Sequence, residues 1–482
     1  MEGDQPLTPA GRLFVQPLTN QIIHCAIAVE LPIDVDAVKA ELRSSVMLKH
    51  PRFCSLMVRD AACGREHWRR TAVDLERHLL VRRQPLSEDP SVSDEDAVND
   101  FIADLSVSSP LPTDKPLWEI HLLLAHNTAV FRVHHALGDG ISLMSMLLSC
   151  CRKADDRSQT PTIGGVGASS SSSSSAALRR SRWSFWTFVK VVWYTLVHFL
   201  EFSMRALWLK DKPTALSGGA AVELWPRKLA SARFRLEDMK LVKRSVAGAT
   251  INDVLFGIIA CGLSRYLDRT NPKGVGQLPE GLQLTGLAMI NLRPEAGLQD
   301  VAELMNRTSG SRWGNKFGML LLPVYYYHDN SDPMGFVRRG KAMIDKKKLS
   351  FEAPLSYYIG FLIMSIFGPK VASILNYRIV CNTTFTVSNV VGPQEAITVV
   401  DNPVKYLRVS SSSLPHVCNH HAYGKLCRNG GDANPSGQGC NTRPQASCPL
   451  LPRSLARYET TGTGTGTGTS VASKSLARCF CA

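Results

Sequence analysis

The stretch Phe131-Arg132-Val133-His134-His135-Ala136-Leu137-Gly138-Asp139-Gly140 constrains local structure more tightly than any other part of the chain. Thr128 to His135 carries β-branched and aromatic residues on an extended pattern, which reads as a strand. Gly138-Asp139-Gly140 is turn punctuation. Ile141 to Cys151 is an apolar run of helical length. The order is therefore strand, tight turn, helix. His134 and His135 fall at the strand's end, and adjacent strand residues point to opposite faces, so only one imidazole faces a given cleft. Histidine titrates near neutrality and can take a proton from a hydroxyl and later return it. Asp139 either orients the loop or pairs with a buried Arg.

The same reading divides the rest of the chain. Ile22 to Leu31 reads as a strand, and Asp34 to Leu48 as a helix with an apolar stripe at Val35, Val38, Leu42 and Val46. His50-Pro51-Arg52-Phe53 breaks that helix. Pro116-Leu117-Trp118-Glu119, with Trp118 reading as a core residue, opens a strand that His126-Asn127 turns into the one carrying His135. Cys150-Cys151 sits on the apolar helix and reads as core packing. Ser169 to Ser175 is an unbroken serine run, a flexible linker by composition.

Between Trp183 and Leu209, Trp186, Val189, Trp193, Leu196, Leu200, Met204 and Leu207 form one helical stripe. Thr187, Lys190, Tyr194, His198, Glu201 and Arg205 form the opposite one. Three readings stay open: a helix lying in a membrane interface, one spanning it, or a buried soluble helix. Further on, Asn252 or Asp253 caps an apolar helix from Val254 to Tyr266. Leu284 to Asn291 reads as a strand ending in Asn291-Leu292-Arg293-Pro294. Arg293 is a candidate partner for Asp139, because a buried carboxylate needs one. Asp345-Lys346-Lys347-Lys348 is either a solvated helix end or a contact for cofactor phosphates.

With Lys+Arg 55 against Asp+Glu 41, the chain carries a net charge of +14. A basic chain meets nucleic acid, anionic lipid or a phosphorylated cofactor. No nucleic-acid motif and no aromatic-basic interleaving are present, which leaves lipid or phosphate. The 13 Cys are scattered without paired spacing, and the polar, acidic Met1-Glu2-Gly3-Asp4-Gln5 lacks the pattern of a signal peptide. A reduced, cytosol-facing compartment is expected.

The pattern His-His-x-x-x-Asp-Gly on a strand, turn and helix resembles the active-site motif of the chloramphenicol-acetyltransferase-like superfamily. Other segments narrow the resemblance. Pro6-Leu7-Thr8-Pro9-Ala10-Gly11-Arg12-Leu13-Phe14, the His50-Pro51-Arg52-Phe53 break and Pro116-Leu117-Trp118 come first in the chain. Asn252-Asp253, Asn291-Leu292-Arg293-Pro294, Trp313-Gly314-Asn315-Lys316-Phe317-Gly318 and Ser388-Asn389-Val390-Val391-Gly392-Pro393 follow. In that order they are similar to the bifunctional wax ester synthase/diacylglycerol acyltransferase family of plants and bacteria.

The resemblance implies an α/β fold: a two-domain chloramphenicol-acetyltransferase-like sandwich with mixed sheets and an interdomain tunnel. The domains expected are residues 1–155 and 213–417, joined by a serine-rich linker at 156–182 and the amphipathic helix at 183–212. The implied activity is O-acyl transfer from acyl-CoA to a long-chain fatty alcohol or to diacylglycerol, with no metal or redox cofactor. His135 is the implied base, with His134, Asp139 and Gly140 completing the motif. Trp118, Asn252, Asp253, Arg293, Ser388 and Asn389 are implied around the substrate, the last two as oxyanion donors. Implied partners are acyl-CoA, the acceptor and a membrane lipid surface, with no nucleic acid. The implied location is the cytosolic face of the endoplasmic reticulum membrane, or the plasma membrane.

Two rival readings stay open: a relative acting on soluble metabolites, whose Asp-Phe-Gly-Trp-Gly segment is absent here, and an inactive membrane-associated binding protein. The second arises because the resemblance fades near Val417. Cys-, Gly- and Pro-rich sequence follows, then a Thr-Gly repeat. Residues 418–482 are therefore expected to be an aberrant, disordered tail.

Overall fold

Two mixed sheets carry the chain, and strands from its far end complete the first of them. A computed structural model describes residues 4–61, 64–108, 110–161, 184–270, 278–293, 313–328, 332–393, 395–412, 414–416 and 418–424. Most of the expected serine linker and the sequence beyond 424 lie outside the described residues.

The larger sheet has seven strands in the order β5 (Leu79–Arg82), β6 (Trp118–Leu123), β7 (Thr128–His134), β2 (Ile22–Val29), β13 (Asn402–Ser411), β12 (Ile397–Val399) and β8 (Arg152–Lys153). β5 and β6 are parallel, and every other neighbour is antiparallel. The smaller sheet runs β10 (Phe317–Tyr325), β9 (Gln283–Asn291), β11 (Phe385–Val391), β14 (Cys418–Gly424). Its β9–β10 pair is antiparallel, whereas β9–β11 and β11–β14 are parallel. A third sheet joins β1 (Gln5–Pro6), β4 (Glu66–Arg70) and β3 (Ser55–Arg59).

Two of the expected boundaries change. The segment 213–417 is not one domain, because β12 and β13 join the sheet of the first half: Leu407 pairs with Ile27 and Ser411 with Ile23. The physical reason is β2. It is buried along almost its whole length, and without β13 its outer edge would leave backbone groups unpaired in the core. The tail is not without structure from 418, because β14 pairs with β11 from Phe385–Cys418 to Val391–Gly424.

Local chemistry sets the helices that frame the site. Thr8 accepts from Gly11 N–H at 3.2 Å and starts α1 (Pro9–Phe14), with Pro9 in its first turn. Asp139 caps α4 (Gly140–Ser149) by accepting from Ser142 N–H at 3.1 Å. Thr250 and Asp253 form a reciprocal capping box for α6 (Ile251–Thr270): Asp253 N–H donates to Thr250 Oγ1 at 3.3 Å, and Thr250 N–H donates to Asp253 Oδ2 at 2.6 Å. The cap residue is thus Thr250, not Asn252 or Asp253.

The amphipathic stretch forms α5 (Phe185–Leu207). The C-terminal part of its polar stripe, from His198 to Arg205, faces inward, while Lys190 stays exposed. Arg205 is buried and donates to Asn382 O at 3.0 Å and Thr285 Oγ1 at 2.7 Å, and it pairs with Asp211 at 2.9 Å. His198 meets Lys347 Nζ at 3.1 Å, and that amine pairs with Glu352 at 2.7 Å. Trp186, Trp193, Leu196 and Leu200 point outward and are exposed. This geometry excludes a buried core helix.

Beside α5 packs α8 (Glu352–Cys381): Phe351 N–H donates to Thr195 Oγ1, and Arg378 donates to Leu207 O. Among the described residues α8 is the one helix long and apolar enough, by length and composition, to cross a membrane. It breaks at Gly368, whose φ of 80° precedes Pro369. The sequence reading passed over this helix.

Candidate active site

His135 lies where the two halves meet. Its backbone N–H donates to Gln21 O at 2.9 Å. Its ring stacks on Phe14 at 4.1 Å between centroids, with Phe317 at 6.4 Å. Asn315 grips the residue twice: its Nδ2 donates to His135 O at 2.9 Å, and its Oδ1 lies 3.1 Å from His135 Nδ1. An amide whose NH2 is turned to the carbonyl presents its oxygen to the ring. Nδ1 therefore carries the proton and Nε2 keeps its lone pair. Burial pushes the imidazole below the usual histidine value, against the opposing pull of the Asp139 charge and the Asn315 bond. The ring is thus neutral at physiological pH.

His134 faces elsewhere. Its Nδ1 accepts from Ala136 N–H at 3.1 Å, so Nε2–H donates to Asn20 Oδ1 at 2.9 Å. Burial, reinforced by the neighbouring His135, pushes it down to about 3. It shapes the turn and holds its place without a charge.

Asp139 joins the halves. Besides capping α4, its Oδ2 accepts from Lys316 N–H at 3.0 Å and pairs with Arg293 at 2.6 Å. Arg293 also donates to Gly314 O and, at 3.3 Å, to Ser142 Oγ. Leu137 O accepts from Trp313 Nε1 at 2.7 Å and from Arg52 at 3.3 Å. The motif loop is therefore clasped by 313–316, by Arg293 and by Arg52. Gly140 serves close approach: a Cβ there would stand 3.3 Å from Val390 Cγ2 of β11.

The other expected residues fall in different places. Asn389 Nδ2 donates to Asn252 Oδ1 at 2.7 Å, tying β11 to the start of α6. Asp253 is wholly buried in its capping box. Ser388 is half-buried on β11, and His135 takes its side-chain partner from Asn315 instead. Trp118 is corrected. It is not on the cleft but fully buried in the first half's core, stacked on His78 at 3.9 Å, with Nε1 donating to Phe53 O at 2.9 Å. Its indole N–H needs a partner once buried, and a backbone carbonyl supplies it.

Sequence reasoning quoted Asn315, Phe14 and Arg52 inside larger segments but gave them no role. The signal available was the Trp-Gly-Asn-Lys-Phe-Gly string itself. Gly314, with a φ of 124°, reverses the chain so that Trp313 and Asn315 both reach the motif loop.

Comparison with known proteins places this geometry. Residues 28–255 match the wax ester synthase/diacylglycerol acyltransferase catalytic domain, and residues 313–424 match the WS/DGAT C-terminal domain. Wax ester synthase/diacylglycerol acyltransferase 5 of Arabidopsis thaliana is 34% identical over 443 residues, covering 87% of this chain and 86% of the relative. The chain belongs to the wax ester synthase/diacylglycerol acyltransferase family. Family member 11 of the same plant is 35% identical over 433 residues, covering 87% of each chain.

The solved wax ester synthase/diacylglycerol acyltransferase from Marinobacter aquaeolei VT8 shares the fold, with a TM-score of 0.51, 16% identity and coverage of 87% of this chain and 90% of that one. The first condensation domain of the calcium-dependent antibiotic synthetase does so too, at a TM-score of 0.50, 15% identity and coverage of 88% and 89%. The chloramphenicol-acetyltransferase-like α/β architecture expected from the sequence is the one observed. The C-terminal family match also runs to Gly424, past the end of the resemblance expected near Val417.

Proposed function

We propose that this family member transfers an acyl group from acyl-CoA to the hydroxyl of a long-chain alcohol or of diacylglycerol, with His135 as general base. The observation that carries the assignment is the Asn315 bond to Nδ1, which leaves Nε2 unprotonated. Nε2 takes the hydroxyl proton as the oxygen attacks the thioester carbonyl. The tetrahedral intermediate expels the CoA thiolate, which takes that proton back from Nε2. One C–O bond forms and one C–S bond breaks, with no net proton change. Lodging both substrates beside one ring removes much of the entropic barrier.

Asp139, Gly140 and Arg293 keep the loop in place. The Ser388 hydroxyl is the remaining candidate for the oxyanion, because Asn389 is engaged with Asn252. The lipid character of the acceptor and the outward apolar stripe of α5 support work at a lipid surface; the membrane we infer is the cytosolic face of the endoplasmic reticulum, with the plasma membrane as the alternative.

The test is turnover of labelled palmitoyl-CoA with hexadecanol or dioleoylglycerol. His135→Ala should lower turnover roughly 100-fold or more, the usual worth of a general base, with an unchanged melting curve. A folded His135→Ala protein of near-native activity would refute the assignment.

A further inference from the structure

α8 presents a second apolar face beside that of α5. Tyr358, Leu362, Ile366 and Phe367 point outward, the last two 63% and 64% exposed. Hydrophobic surface on this scale marks an interaction site on a soluble protein. Its occupant follows from charge. The exposed charged side chains of the two helices are Lys190, Lys370 and Arg378, all cationic. The carboxylates are turned inward, Glu352 to Lys347 and Glu201 towards Arg205. An apolar face with a cationic fringe fits anionic lipid.

Both helices lie along that surface rather than cross it, α5 because Arg205 and His198 hold its polar side to the protein. The part of α8 before Gly368 is about 24 Å long at helical rise, short of the ~30 Å hydrocarbon layer. The part after it is held to the body by Ser373 Oγ against Thr19 Oγ1 at 3.1 Å and tied to α5 by Arg378 to Leu207 O.

A crevice lies between α8 and α1. Asn376, Tyr377 and Val380 of α8 form one wall, and Leu13 and Phe14 of α1 form another. Phe317 also lines it, so the crevice is walled by the ring stacked on His135 and by a second ring beside that one. At its rim Leu18 is 46% exposed, one residue from the Thr19–Ser373 contact. Within it, Asn376 Oδ1 is shielded from solvent and has no hydrogen-bond partner among the described residues.

We propose that α5 and α8 form one platform seated on an anionic bilayer, and that the acceptor lipid passes from the bilayer along the α1–α8 crevice to His135. Asn376 Oδ1 accepts from the lipid hydroxyl on the way. Acyl-CoA, charged and water-soluble, approaches from elsewhere. The route rests on the acyltransferase reading of His135; the docking surface does not.

The test uses the full chain with phosphatidylcholine vesicles, with and without phosphatidylserine, carrying a diazirine-bearing diacylglycerol. The wild type should sediment with the phosphatidylserine vesicles and, on illumination, carry label on residues 9–18 and 376–380. Ile366→Asp with Phe367→Asp should weaken sedimentation more than about tenfold by removing buried apolar area, and should abolish that label. Lys370→Glu, at an exposed position, should weaken it about fivefold or more and keeps the test informative if the double variant fails to fold. Sedimentation unchanged in both variants overturns the proposal, as does vesicle binding with no label in the crevice. Lipid-free dimerisation lost in the same variants, without vesicle binding, assigns the face to a second copy and also overturns it. His135→Ala should keep both sedimentation and label, so a wrong base assignment shows in turnover alone.

Discussion

Replacing Asp139 by Asn tests the junction on which the site depends. The isosteric amide can still accept from Ser142 N–H, so the cap survives in part. What disappears is the charge facing Arg293, whose side chain is 4% exposed. Breaking a buried pair by removing one partner costs about 3–5 kcal/mol. The retained cap and the other Arg293 contacts put this change at the lower end, about 3 kcal/mol. Arg52 adds to the cost, because burial already pulls that guanidinium down to about 10 and the Asp139 charge counters the fall. For a domain of ordinary size this lowers Tm by about 10 °C. The assay is thermal and urea unfolding followed by tryptophan fluorescence, alongside turnover. Asp139→Asn, Arg293→Met and the double variant close a cycle. The double should cost at least about 1 kcal/mol less than the sum of the singles, since residues in one network couple by that order. Additive costs, or an Asp139→Asn protein that is fully stable yet inactive, would refute the structural role.

Three further outcomes are expected. The acid limb of kcat/KM should have its midpoint below 6.5, because His135 must be neutral to act and burial holds its value down; Asn315→Ala should move the midpoint lower still, and an upward shift would contradict the Nδ1 bond. Stability should fall as pH drops below about 6.5, since burial pushes His24, His50 and His134 each to about 3 and the unfolded chain binds more protons in that window; a Tm that stays flat between neutral pH and 4 would oppose it. Deleting 418–482 should lower Tm and activity more than deleting 425–482, because only the first strips β14 from β11; equal effects would mean that β14 adds nothing.

The parts of the site that were legible in sequence are those set by neighbours in sequence. Strand, turn and helix around His135 follow from side-chain pattern alone, and so do the opposed directions of His134 and His135. The Arg293–Asp139 pair was anticipated because burying a carboxylate demands a counter-charge. Asn315 was not, because its hold on His135 spans 180 residues and no local periodicity records such a pairing. For Trp118 the residues read as core and the resemblance placed it beside the substrate; a tryptophan beside a motif reads the same whether its ring meets a substrate or His78. The boundary at 213–417 missed the return of β12 and β13 to the first sheet, because alternation fixes which residues share a face and says nothing about which strand lies alongside. Helix α8 was passed over because apolar residues surround it rather than form a stripe, which removes the amphipathic signal that exposed α5.

The return of β13 to the side of β2 makes the halves interlocked rather than strung in series. A protease that cut between residues 162 and 183 would sever the chain without parting it, because the downstream fragment keeps a strand zipped into the upstream fragment's sheet. The first 161 residues made alone would instead present the bare edge of β2 and seek another strand to cover it. Co-expressed with 184–482, they have that strand supplied in trans, and the reassembled pair regains Asn315 beside His135. The fold thus carries its own means of complementation.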